Sequence, residues 1–150
     1  MKKNELLEKR MDNYLDHLGS WPKNVSELVN KKEITVITER NAINFIHGKQ
    51  NQNKVSFYLS NDMVHVGILT LTKGKLSDIE SHKGDEALWV LQGNIQIKAW
   101  KGEGAEDTVF QSCYSLRTND KFLIPEGYKH QYFNLSDGTA KILFTISPDL

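Results

Sequence analysis

The residue types that could do chemistry are concentrated in residues 74–93, which begin GKLSDIESHKGDE. In an extended strand, side chains two positions apart point to the same face. Glu80 and His82 would therefore share one face. A turn at residues 83–85 would return the chain and bring Glu86 in beside them from an adjacent strand. Two carboxylates and one imidazole in this arrangement could hold a metal ion, or could be only the polar edge of a sheet.

A second polar segment, PEGYKHQYFN at residues 125–134, supplies further candidates. Its proline and glycine predict a tight turn, because proline fixes one backbone dihedral and glycine relieves crowding. His130 follows at the start of a predicted strand, and Tyr132 and Asn134 lie on its face by two-residue alternation. The second segment therefore offers another imidazole and a phenol to the same interior.

The spacing of these residues resembles the cupin superfamily, which is marked by the motifs G-x5-H-x-H-x3-4-E-x6-G and G-x5-P-x-G-x2-H-x3-N. The first motif is matched by Gly74, Glu80, His82, Glu86 and Gly93. The second is matched by Asn119, Pro125, Gly127, His130 and Asn134. Two positions depart from the pattern. Glu80 stands where a histidine is expected, and Asn119 replaces a glycine, a mild change because asparagine also tolerates left-handed backbone.

The resemblance implies an all-β fold, the double-stranded β-helix or jelly-roll barrel of cupins, with a site inside it. Cupins usually bind a divalent metal through four motif positions, which here are Glu80, His82, Glu86 and His130. Two imidazoles and two carboxylates suit Zn, Fe(II) or Mn(II). A glutamate in place of a histidine favours harder ions over Cu or Ni, and the identity of the metal stays open.

Three interpretations of Glu80 stay open. It can be a fourth metal ligand, or a general base beside a metal held by His82, Glu86 and His130 alone. It can also be a solvated strand residue that marks a site which has lost its metal. We expect a metal in one of the first two arrangements, because the other three candidate ligands are all present.

The remaining histidines are interpreted as structural residues. His17 lies in a predicted helix, His47 lies in a predicted loop beside Gly48, and His65 is expected to be a hydrogen-bonded histidine of the barrel. The single cysteine, Cys113, excludes a disulfide within the chain and is expected to be a small, partly buried apolar residue.

The elements that must position these residues form a helical arm followed by an all-β body. Apolar residues recur at helical spacing over residues 3–18, and a capping box at residues 24–27 predicts a second, short helix. From residue 34 onward, short runs rich in β-branched and aromatic residues alternate with turn signals, which is typical of a sandwich or barrel. We predict an N-terminal helical arm at residues 1–33 and a cupin β-barrel domain at residues 34–150.

The predicted strands are residues 34–37, 42–46, 55–59, 64–71, 87–91, 95–100, 121–124, 130–133 and 141–146. Residues 48–54 and 101–112 are predicted to be loops at the mouth of the barrel. Alternation from Glu86 directs Leu88 and Val90 into the interior, and it directs Trp89 and Leu91 outward.

The balance of positive and negative residues indicates which kinds of binding partner are not expected. Lys and Arg total 19, as do Asp and Glu, and no basic block occurs. We therefore expect no binding to nucleic acid or to an anionic membrane. The N-terminal residues lack the apolar core of a signal peptide, and no apolar run approaches the ~20 residues of a membrane span. We expect a cytoplasmic protein, and the helical arm and early strands favour a homodimer.

Two functions are compatible with this pattern. The first is a metal-dependent enzyme of the isomerase, lyase or oxygenase type that acts on a small polar metabolite. In it the metal would polarise a substrate oxygen, Glu80 would move a proton, and Tyr132 would line the pocket. The second is a non-catalytic cupin that binds or senses a small molecule. The fold does not decide between them, because one fold supports many functions.

Overall fold

The computed structural model describes residues 36–60, 63–102 and 112–147. A 3₁₀ turn at Glu39–Asn41 precedes the strands of this part of the chain. The strands are β1 (Ile43–His47), β2 (Asn53–Ser60), β3 (His65–Leu71), β4 (Asp85–Gln92), β5 (Asn94–Lys101), β6 (Ser112–Arg117), β7 (Lys121–Ile124), β8 (Tyr128–Asn134) and β9 (Ala140–Ser147). The predicted helical arm at residues 1–33 lies outside the described residues. In the described ranges, no helix has the length and apolar character needed to cross a membrane.

The strands form two antiparallel sheets. The larger has six strands in the order β1-β2-β3-β9-β4-β7, and the smaller has three in the order β6-β5-β8. Residues 75–80 extend the smaller sheet, because Leu76 pairs with Phe133 and Glu80 pairs with His130 along β8. The all-β jelly-roll fold predicted from the sequence is confirmed.

One face of each strand lies in the interior, as the two-residue alternation of a strand requires. In β4, Leu88 and Val90 are buried whereas Trp89 and Leu91 are exposed, so the predicted sides of this strand are confirmed. Each fully buried aliphatic or aromatic side chain contributes about 1.5–3 kcal/mol by leaving water. The core is formed by Val55, Phe57, Leu69, Leu71, Leu88, Val90, Ile95, Ile97, Ile124, Tyr132, Ala140, Ile142, Phe144 and Ile146.

Gly67 makes room for an aromatic ring in the interior. Gly67 and Phe144 are paired residues of β3 and β9. A Cβ atom at position 67 would lie 2.5 Å from Phe144 Cζ and 2.9 Å from the backbone oxygen of Ser56. The ring of Phe144 therefore occupies the volume that a larger residue at position 67 would need.

Three local predictions were wrong. Strand β6 was not predicted: its first residue was assigned to the mouth loop at residues 101–112, and its other residues were assigned to no strand. It is an edge strand that pairs only with β5 and is mostly exposed, so it lacks the apolar alternation that identifies half-buried strands. For the same reason Cys113, on β6, is exposed rather than partly buried. Residues 36–37, the described part of the first predicted strand, are irregular.

Candidate metal centre

Backbone pairing brings Glu80 and His130 together. The N–H of each residue donates to the carbonyl of the other at 2.9 Å. Residues directly opposite each other in an antiparallel pair direct their side chains to the same face. His82 follows Glu80 by two residues, and its ring centroid lies 5.3 Å from that of His130. His130 is only 1% exposed, so this face is the barrel interior.

Glu86 reaches the same place from the opposite sheet. It lies near the start of β4, whose partners are β7 and β9, so residues 83–85 carry the chain from the edge of the smaller sheet to the larger sheet. The prediction that Glu86 lies on a strand adjacent to Glu80 and His82 is therefore wrong, because residues 75–80 pair with β8 instead. The side chains meet across the barrel, with Glu86 Oε2 lying 3.5 Å from His82 Nε2 and 3.0 Å from His130 Nε2.

Three distances between donor atoms of the cluster fall in the range that a bound metal ion requires. Glu80, His82 and His130 each offer one ligand atom, and these atoms lie within 4.8 Å of one another. Ligands that bind an ion at about 2.1 Å lie about 3.0–4.2 Å apart in tetrahedral or octahedral geometry. The distances from Glu86 fall in this range, and so does the 3.9 Å between Glu80 Oε2 and His82 Nε2.

Two atoms of the cluster lack hydrogen bonds. Glu86 Oε2 and His130 Nε2 form an ion pair at 3.0 Å, and Glu86 Oε2 also lies 3.5 Å from His82 Nε2, but both atoms are buried without a hydrogen bond. Buried polar atoms without a partner are rare in proteins, because they lose water and gain nothing in return. Coordination of a cation would satisfy both atoms. Glu80, His82 and His130 thus fit a metal ion, Glu86 Oε2 lies at ligand distance from both histidines, and metal binding stays a prediction.

A fifth side chain, His47, contacts this cluster. Its Nε2 lies 2.7 Å from Glu80 Oε1. The interpretation of His47 as a loop residue is wrong, because it is the last residue of β1 and is partly buried. Alternation could have placed it, since Phe45 lies two residues earlier on the same strand and packs against the core.

Burial and neighbouring charges shift the pKa values of the glutamate and histidine side chains in the cluster in different directions. The hydrogen bond to Glu80 raises the pKa of His47 above its ordinary value. Burial raises the pKa of Glu80, but His47 and the other two imidazoles outweigh burial and leave that pKa lowered. Burial lowers the pKa of His82, which favours the neutral imidazole that binds metals. Burial also lowers the pKa of His130, but Glu86 outweighs it and the net shift is upward.

Tyr132 orients the carboxylate of Glu86. Its hydroxyl donates to Glu86 Oε1 at 2.8 Å, and the side chain is 2% exposed. Burial and the nearby carboxylates raise the pKa of Tyr132 well above its ordinary value, so the phenol stays protonated and remains a donor. This hydrogen bond leaves Oε2 of Glu86 directed at the two histidines. The predicted catalytic role of Tyr132 stays a prediction.

Two further motif residues have structural roles. Asn119 has a φ of 75°, so it adopts the left-handed backbone for which the motif normally has glycine. Asn134 is buried, and its amide donates to the carbonyls of Leu71 and Gly138. His65 is likewise buried and hydrogen-bonded, with Nδ1 lying 2.7 Å from the hydroxyl of Ser60.

Asp78 fastens the loop after His47 to the segment that carries Glu80. Its carboxylate accepts hydrogen bonds from the backbone N–H groups of Lys49, Gln50 and Asn51. Burial raises the pKa of Asp78, but these donors outweigh burial and leave the pKa lowered. Because His47 directly precedes the loop, the same contacts position His47 against Glu80.

The cluster forms one side of a cavity of about 70 Å³. The rest of the lining, called the apolar side below, consists of Phe45, Val55, Phe57, Leu69, Ile142, Phe144 and Ile146. The rings of Phe45 and Phe57 stack at 5.7 Å, and those of Phe57 and Phe144 meet edge to face at 5.4 Å. Among the described residues, no Lys or Arg lines this cavity.

The fold was compared with solved structures. A Drosophila melanogaster CENP-C structure, bound to CAL1, is 16% identical and covers 92% of this chain and 98% of that chain, with a TM-score of 0.60. A predicted oxalate decarboxylase from Thermotoga maritima is 14% identical and covers 76% of this chain and 99% of that chain, with a TM-score of 0.61. An RmlC-like cupin from Shewanella frigidimarina is 17% identical and covers 70% of this chain and 84% of that chain, with a TM-score of 0.53. The sequence matches no protein-family model and no curated protein. At these identities the likeness concerns the fold alone.

Proposed function

Because the chain has the cupin fold, we propose that it is a metal-dependent enzyme whose interior cluster holds a divalent Zn, Fe(II) or Mn(II) ion. The observation that carries this proposal is the group of Glu80, His82 and His130, whose ligand atoms lie within 4.8 Å of one another, with Glu86 Oε2 of the opposite sheet 3.0 Å from His130 Nε2. Two of the donor atoms, Glu86 Oε2 and His130 Nε2, are buried without a hydrogen bond. Such atoms cost stability unless a partner compensates, and a cation is the partner that satisfies a carboxylate and an imidazole together.

The reaction class is an isomerase, lyase or oxygenase that acts on a small molecule. A bound divalent ion would supply Lewis-acid polarisation of a substrate oxygen. In the protein itself, His47 occupies Oε1 of Glu80 and leaves Oε2, which lies 3.9 Å from His82 Nε2, without a hydrogen bond from His47. Glu80 is therefore our candidate for the group that takes a proton from the substrate.

Binding without turnover is the second candidate. It is favoured by the CENP-C structure, which is bound to CAL1 and shares the fold over most of both chains. In this case the cavity would bind a ligand and release it unchanged. The two candidates differ in one measurement, since an enzyme forms a product and a binding protein gains only thermal stability from the ligand.

The first experiment is the metal content of the purified protein by mass spectrometry, for wild type, Glu80→Ala and His82→Ala. Near-stoichiometric metal that is lost in both variants would support Glu80 as a ligand. Metal that persists in Glu80→Ala would recast Glu80 as a base beside a three-residue site. A wild-type protein that holds no metal and takes up none on soaking contradicts the proposal and favours the binding protein.

A matched control is His65→Gln. His65 is a buried, hydrogen-bonded histidine outside the cluster. We expect this variant to keep its metal even if it is less stable, so that loss of metal in the other variants is not a general effect of removing a buried polar residue. The homodimer, the cytoplasmic location and the domain boundary after residue 33 stay predictions.

A further inference from the structure

The apolar side of the cavity offers a ligand nothing but packing. Its seven lining residues are aliphatic or phenylalanine side chains, and they include Phe45 and Phe57, which stack, and Phe144, which meets Phe57 edge to face. A hydroxyl or carboxylate placed against this surface would lose its hydrogen bonds to water without replacing them. The part of a ligand that contacts this side is therefore hydrocarbon.

We expect the polar side to accept one metal-binding oxygen group of a ligand. One oxygen of each carboxylate is engaged, through the His47–Glu80 and Tyr132–Glu86 hydrogen bonds, and the two Oε2 atoms and the imidazoles of His82 and His130 face the proposed metal. Since no Lys or Arg of the described residues lines the cavity, a second anionic group on the ligand would find no permanently charged cation to pair with.

The size of the cavity limits the hydrocarbon. The cavity of about 70 Å³ is roughly half of the ~150 Å³ engineered apolar cavity that takes up benzene. On that scale it accommodates a tail of about three carbons beside the donor group.

We propose that this site takes a short aliphatic compound with a single oxygen-donor group, directed at the metal, and a hydrocarbon tail against the rings of Phe45, Phe57 and Phe144. This inference rests on the proposed metal site and names its substrate class. It replaces the broad class of small polar metabolites with monofunctional ones and sets aside dicarboxylates and sugars.

The test compares butyrate, succinate and hexanoate on protein whose metal content has been measured. Butyrate and succinate have the same number of carbons and differ in the second carboxylate, and hexanoate carries a longer tail. The readouts are isothermal titration and the shift of the thermal unfolding midpoint. We expect butyrate to bind at least about tenfold more tightly than succinate, because burying an unpaired second charge is costly. We also expect hexanoate to bind more weakly than butyrate.

Phe144→Leu tests the position of the tail. The smaller side chain enlarges the cavity next to Gly67, and we expect it to shift the preference from butyrate towards hexanoate. Phe122→Leu is the matched control, because Phe122 lies on β7, packs against Tyr114 and does not line the cavity. It should leave the butyrate preference unchanged.

The results of these binding experiments distinguish a wrong ligand class from an absent metal site. A butyrate preference that moves in Phe144→Leu and not in Phe122→Leu supports the inference. Succinate binding as tight as butyrate binding, or no binding of any probe to metal-loaded protein, overturns the ligand class and leaves the metal site standing. Protein that takes up no metal overturns the proposed function and the ligand class together, and the metal measurement identifies this case independently.

Discussion

The two sides of the cavity are held in place by different forces. On the apolar side, Phe57 and its neighbours come from strands of the larger sheet and are fixed by packing. On the polar side, Glu80, His130 and Glu86 come from both sheets and are fixed by hydrogen bonds and ion pairs. Packing contributes directly to stability, whereas a buried polar cluster costs stability unless it is fully satisfied. Substitutions on the apolar side should therefore change stability most, and substitutions on the polar side should change metal affinity most.

The largest expected effect on stability is that of Phe57→Ala. Phe57 is 4% exposed and contacts the rings of Phe45 and Phe144, so truncation leaves a void in the core. We expect the free energy of unfolding in urea to fall by about 3–5 kcal/mol, while the folded protein keeps its metal. Phe57→Leu should show a smaller loss and remain measurable if the alanine variant does not fold.

The control for Phe57 is Leu123→Ala, because Leu123 is 59% exposed. Its free energy of unfolding should change by less than about 0.5 kcal/mol. If Phe57→Ala lost its metal while remaining folded, the two sides of the cavity would be coupled and the comparison would fail.

The next effect in size is that of Tyr132→Phe, on the polar side. This change removes the donor to Glu86 Oε1 and leaves a buried carboxylate oxygen without a partner. We expect a loss of about 1.5–3 kcal/mol in the free energy of unfolding of the metal-free protein. We also expect a fall of about 10–100-fold in metal affinity, measured by competition with a chelator, because an outer hydrogen bond orients the ligand.

Tyr114→Phe is the control for this variant. Tyr114 is 41% exposed and lies on β6, away from the cluster. Unchanged metal affinity in Tyr132→Phe would show that Tyr132 does not position Glu86 for metal binding.

The sequence predicted the pairs of the polar side that depend on local alternation. Glu80 with His82, and His130 with Tyr132, are two residues apart on extended segments, and this spacing alone gives a shared face. The place of Glu86 could not be predicted in this way. Strand β4 belongs to the larger sheet because it pairs with β9 and β7, and both strands lie far from β4 in the sequence.

The features that the sequence did not predict also depend on contacts between residues far apart in the chain. The alternation of Phe45 and His47 was visible in the sequence, but the contact of His47 with Glu80 joins residues 33 positions apart and depends on how β1 meets residues 75–80. Strand β6 was missed because an exposed edge strand has little apolar pattern to detect. The residues of the apolar side were not individually assigned to the interior from the sequence, and the packing of Phe144 over Gly67 depends on the pairing of β3 with β9.

A smaller effect is expected at His47. In His47→Phe, Glu80 loses its hydrogen-bond donor while the aromatic volume is kept. We expect metal affinity to fall by about tenfold, the low end of the range for residues that orient a ligand. His47→Gln keeps a donor and should retain more of the affinity than His47→Phe. Equal losses in both variants would mean that the volume of the ring, and not its hydrogen bond, supports Glu80.

The smallest effect concerns acid stability and the loop that holds His47 in place. Because the pKa of Asp78 is lowered in the folded protein, its carboxylate stabilises the fold above the ordinary aspartate value of about 4. That contribution is lost as the pH falls through this value towards the lower folded-state pKa. Metal-free wild type should therefore lose more stability between pH 6 and about pH 3 than Asp78→Asn does, as measured by thermal unfolding.

Asp137→Asn is the matched control for acid stability, because Asp137 forms an exposed ion pair with Lys73 and such pairs contribute little. At pH 6, Asp78→Asn should also be less stable than wild type, since a neutral amide accepts the three backbone N–H groups more weakly than a carboxylate does. If wild type and Asp78→Asn respond identically to acid, the loop is held by its backbone and by the side chain of Asn51, which donates to the carbonyl of Ser77. In that case the position of His47 would not depend on the charge of Asp78, and the polar side would owe less to electrostatics than the comparison with the apolar side implies.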